Sequence, residues 1–155
     1  METKDISLFN SIISDIFSKK MLTNIIQERP KIVEPPLKIN QYTTILNIGD
    51  MQNEKMLIFT LNKETLEKIT ENYLKKNNIQ EEKPFYFAFQ AIVQYILIEL
   101  ISKMFKDISI FKKKEFSIRS FETAETDGIY CISNDIVYFK IILQNIGTLE
   151  VYFIN

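Results

Sequence analysis

The run FYFAFQAIVQYILIELISKMF, residues 85–105, constrains the fold more than any other part of the chain. It follows Pro84, a residue tolerated at a helix's first position because its missing N–H would be unbonded there anyway. Read as a helix, it carries apolar side chains on nearly every side. A helix without a polar face is buried on several sides or presents apolar surface to a partner. The run therefore predicts a long apolar central helix with the remaining elements packed around it. It is not a membrane span, because its longest apolar stretch, residues 91–101, is interrupted by Gln94 and Glu99 and is too short to cross a bilayer.

The flanking segments come in blocks. Residues 6–22 place Ile6, Phe9, Ile12, Ile13, Ile16 and Phe17 at helical spacing, opposite Asn10, Ser14, Lys19 and Lys20. Pro30, Pro35 and Pro36 make the next segment extended or looped. Thr43–Ile48 and Lys55–Leu61 read as a hairpin around GDMQNE, with Gly49-Asp50 marking the turn. Asn62 is a candidate N-cap for a helix with Glu64 and Glu67 in its first turns and Leu66, Ile69, Tyr73 and Leu74 on one face. A polar connector, residues 75–83, leads to Pro84. Beyond residue 105 come strand-like runs at 108–111, 116–121, 129–133, 136–143 and 148–154, with turns at Asp127-Gly128, Asn134-Asp135 and Asn145-Ile146-Gly147. Helix and strand patterns do not alternate regularly. This predicts a single α+β domain over residues 1–155, a mostly antiparallel sheet packed against two or three helices. Each half opens with an apolar helix and continues into extended segments, a faint duplication without matching sequence.

Composition narrows the chemistry. The 155 residues include no histidine and one cysteine, with 19 basic and 20 acidic side chains. Without imidazole there is no Ser-His-Asp or Cys-His machinery. One thiol and no histidine exclude a structural zinc site of the Cys/His kind. Cys131 has no internal disulfide partner and reads as a small buried apolar residue. The residues predict neither a cofactor nor a metal. With Gly49, Gly128 and Gly147 the only glycines, a glycine-rich nucleotide cradle is excluded as well. A net charge of −1 gives no footprint for nucleic acid, and the basic run Lys112–Lys114 reads as a solvated turn. METKDISLFN carries acids early and lacks a long apolar core, unlike a signal peptide. The chain is expected to be soluble and cytoplasmic.

The order of elements resembles the CheX-like and CheC-like phosphatases of bacterial chemotaxis. The most specific stretch is TTILNIGDMQNEKMLIFTLNKETLEKITENYL, residues 43–74, in which strand, tight turn and strand lead into a capped helix. The N-terminal helix, AIVQYILIEL and the closing DIVYFKIILQNIGTLEVYFI follow the same pattern. The family usually has glycine before the second strand, where this chain has Glu54 and Lys55. The resemblance implies removal of the aspartyl phosphate from the response regulator CheY by an acid and an asparagine, E-x-x-N or E-x-x-x-N, on a long helix. Residues at that spacing share one helical face. The acid pairs with the regulator's lysine while the amide aligns a water, so catalysis is positioning and charge stabilisation.

That pair is missing from the matching positions. Gln94 stands where the acid belongs and Leu97 where the amide belongs, and no asparagine occurs between Asn78 and Asn134. Asp50 and Asn53 have the right separation but fall in the predicted hairpin turn. The leading expectation is a CheX-like domain that has lost catalysis and binds a CheY-like response regulator or another signalling protein. Its docking surface would be Gln90, Gln94, Leu97, Ile98 and Ile101; the plainer reading of the same residues is core. Two alternatives stand beside it. Gln90 and Gln94, one turn apart, could form a non-standard amide site of an active phosphatase. Otherwise the domain is unrelated and binds a small ligand in a pocket lined by Tyr and Phe. Members of the family can pair sheet edges. Val137-Tyr138-Phe139 and Val151-Tyr152-Phe153 are the strand-forming segments through which a homodimer would form.

Overall fold

A computed structural model describes residues 3–21, 23–48, 55–79, 91, 98–99, 118–120, 129–130 and 135–154. The first helix, α1 (Thr3–Met21), buries Phe9, Ile12, Ile13, Ile16 and Phe17, the apolar stripe expected from the spacing. Three short strands follow: β1 (Ile25–Gln27), β2 (Lys31–Val33) and β3 (Leu37–Lys38). Next come β4 (Tyr42–Ile48), β5 (Lys55–Leu61) and the helix α2 (Lys63–Lys76). β6 (Ile118–Ser120), β7 (Ile129–Tyr130), β8 (Ile136–Leu143) and β9 (Gly147–Ile154) complete the described elements.

The α+β expectation holds. Among the described residues, one sheet of seven strands runs in the order β1-β8-β9-β5-β4-β6, with β2 also on β8, and β3 and β7 form a separate pair. All the pairings are antiparallel. The hairpin read from residues 43–61 is β4–β5, in register from Tyr42↔Leu61 to Ile48↔Lys55; its turn, with Asp50 and Asn53, lies outside the described residues. The closing hairpin β8–β9 turns through Gln144, Asn145 and Ile146, with Asn145 at φ 63°, a left-handed conformation that asparagine tolerates. Asn62 caps α2 as predicted, its side chain accepting from the Thr65 N–H at 2.8 Å. Such a cap contributes about 1 kcal/mol.

Alternation along the strands creates two faces. Leu57, Phe59 and Leu61 of β5, Phe139, Ile141 and Leu143 of β8, and Leu149, Val151 and Phe153 of β9 pack against α1 and α2. Phe9 meets Phe139 with ring centroids 4.6 Å apart. Ile45, Ile58, Ile136, Tyr152 and Ile154 point to the other face and are covered by Leu37 and Ile39. The core is thus built on both sides of the sheet.

One expectation is sharpened and another changes. The segment 25–33, which the prolines mark as extended or looped, supplies β1 and β2, both paired to β8 on either side of Pro30. As a result Val137–Phe139 and Val151–Phe153 are not edges: β8 lies between β9 and β1/β2, and β9 lies between β8 and β5. The borders of the described sheet are β1/β2 and β6. Of the predicted central helix, Ala91, Ile98 and Glu99 are described, and all three are helical. The predicted strand at 108–111 and Cys131 lie outside the described residues.

Candidate functional site

Of the five predicted docking residues, Ile98 is described; Gln90, Gln94, Leu97 and Ile101 lie outside the described residues. Ile98 is helical and 60% exposed. Its neighbour Glu99 is half-buried, and Ala91 packs against the helix-side core. The usual partition is reversed at this step, since burying a carboxylate is costly whereas burying an isoleucine is favourable. A chain that turns the isoleucine outward presents apolar surface that a partner could cover.

A second constellation lies on the sheet face away from α1 and α2. In the β8–β9 register Lys140 stands opposite Glu150 and Tyr138 opposite Tyr152. Glu150 is next to Thr60 on β5, and Thr60 next to Thr43 on β4. Opposed residues share a face, so Lys140, Glu150, Thr60 and Thr43 form one polar row. Glu28 extends it: its backbone N–H donates to the Lys140 carbonyl at 3.2 Å, and Lys140 Nζ donates to Glu28 Oε1 at 2.7 Å. That bond holds the Glu28 carboxyl below the usual carboxylate range and raises Lys140.

Glu150 is the centre of the row. Its Oε2 accepts from Asn40 Nδ2 at 2.6 Å and its Oε1 from the Tyr138 hydroxyl at 2.7 Å. The Asn40 backbone N–H donates to Thr60 Oγ1 at 2.8 Å, Thr43 Oγ1 donates to the Asn40 carbonyl at 2.9 Å, and the Tyr152 hydroxyl donates to the Lys38 carbonyl at 3.1 Å. These bonds tie the crossing from β3 to β4 onto the sheet, which brings Leu37 and Ile39 over the second core. Chemically the row is an anchor: its carboxylate and amide are bonded to each other.

Burial, and after it the Glu150 charge, pushes the Tyr152 phenol up to about 12 from its ordinary 10.0. Tyr138 moves in the same direction, from burial first and then its bond to Glu150. A phenol whose pKa is raised by folding stabilises the native state below the unfolded pKa, and that stability is lost as pH rises. Urea denaturation is therefore expected to show stability falling between pH 10 and about 12. Tyr152→Phe removes its share of the slope, about 1–2 kcal/mol across the window. An unchanged slope contradicts the assignment.

Sequence reasoning did not find the row, although part of it was readable. A turn that pairs Leu143 with Gly147 fixes Lys140 against Glu150 by counting back along both strands. Asn40 gave no such signal, because it lies in a crossing and not on a strand. Among the described residues there is no group of three or more Cys, Asp or Glu able to hold a metal ion, and no helix long and apolar enough to cross a membrane.

No protein-family model matches the sequence, and no curated protein sequence matches it. Solved structures do. A CheC-like superfamily protein from Shewanella sp. PV-4 superposes with a TM-score of 0.73 at 11% identity, covering 99% of this chain and 98% of that one. The chemotaxis protein CheX from Desulfovibrio desulfuricans gives 0.71 at 12% identity, with 97% of each chain covered. The CheX of a CheX–CheY complex with beryllofluoride and magnesium, from Borrelia burgdorferi, gives 0.60 at 12% identity, with 96% of each covered. Matched over nearly its whole length by these proteins, the chain has the CheX-like and CheC-like fold.

Proposed function

We propose that this chain is a cytoplasmic CheX-like signalling domain that docks a CheY-like response regulator without dephosphorylating it. The observation that carries the reading is the outward-facing Ile98 beside the half-buried Glu99, within the stretch where the resemblance expects the regulator to sit. The CheX of Borrelia burgdorferi, which shares the fold, was solved with CheY. Gln94 and Leu97 at the family's acid and amide positions support binding without catalysis: a neutral amide forms no ion pair with the regulator's lysine, and a leucine holds no water.

The test uses the full chain and a receiver domain activated by beryllofluoride. Calorimetric titration is expected to give saturable one-to-one binding, and Ile98→Asp is expected to weaken it at least tenfold, about 1.4 kcal/mol. The thermal melt of the variant should match that of the parent, because Ile98 is exposed. Equal affinities of variant and parent overturn the docking face. Phosphorylated receiver is expected to decay at its spontaneous rate in the presence of the protein. Faster decay favours the phosphatase reading, with Gln90 and Gln94 the residues to replace next.

The same proposal includes pairing of two copies at the β1/β2 border, where Ile26 and Ile32 are 59% and 78% exposed. Light scattering at micromolar concentration is expected to give twice the 18.3 kDa of one chain. The mass of a single chain dismisses the pairing.

A further inference from the structure

We draw no further inference here: the strongest candidate, the polar row on the second face of the sheet from Glu28 through Lys140 and Glu150 to Thr60 and Thr43, bonds its donors and acceptors to one another and to the β3–β4 crossing, and no group in it is left aimed at a ligand.

Discussion

Gly147→Ala is expected to destabilise the domain by about 2–4 kcal/mol, read as a lower urea midpoint at unchanged slope. Gly147 opens β9 at φ 153°, a conformation that side-chain-bearing residues rarely adopt. A Cβ there would overlap Thr65 Oγ1 and lie 2.9 Å from its Cβ and 3.0 Å from its Cγ2. Rotating Thr65 moves the hydroxyl but not the Cβ, so the start of α2 has to shift. That shift is resisted, because Thr65 is 2% exposed and its N–H is held by the Asn62 cap. Forcing extra atoms into a packed site costs about 1–3 kcal/mol, and alanine at an unfavourable φ adds roughly 1 kcal/mol more. Thr65→Ala in the same chain removes two of the three contacts, so the double variant should recover part of the loss. A Gly147→Ala midpoint within about 0.5 kcal/mol of the parent, a neutral substitution, would falsify the packing argument.

Glu150→Ala is expected to cost about 2–3 kcal/mol, and Glu150→Gln about 1 kcal/mol. The alanine leaves the Asn40 amide and the Tyr138 hydroxyl without their acceptor, and hydrogen bonds to a charged group are worth about 1.5–3 kcal/mol each before allowance for partial exposure. Glutamine keeps an oxygen for Asn40, while its amide can donate to the Tyr138 oxygen, since a phenol both donates and accepts. Hydrogen exchange locates the loss: the Asn40 N–H, bonded to Thr60, should lose protection in Glu150→Ala more than amides of α1. If both variants cost the same, the charge matters and the geometry does not. If neither differs from the parent, the row does not fasten the crossing.

What the sequence made legible follows the range of the interactions. The α1 stripe, the Asn62 cap and the β4–β5 and β8–β9 hairpins depend on residues close together along the chain, and each lies within three residues of the limits the sequence predicts. β1 and β2 were not read as strands. Each has three residues, and both are paired to β8 more than 100 positions away, so no local pattern announces them. That omission also produced the wrong edges, since β8 reads as exposed only while its outer neighbours are missing. For the candidate site, Ile98 is legible in the sequence because it continues the helical line of Gln90 and Gln94 with Leu97 and Ile101. The Glu150 anchor was not named, because strand register gives its Lys140 and Thr60 neighbours but nothing local brings Asn40 to it.

The placement of β9 has a consequence for how the protein is made. The last described strand in order, residues 147–154, lies in the middle of the sheet and joins β8 to β5. Until those residues leave the ribosome, the β4–β5 hairpin and the strands around β8 have no common neighbour, and both inner borders stay open. Closing the sheet requires pairings such as Leu57↔Phe153, nearly a hundred residues apart, whose loop-closure entropy must be met before the contact forms. Until β9 pairs, β5 and β8 each present an unpaired strand edge, and residues 147–154 close both at once.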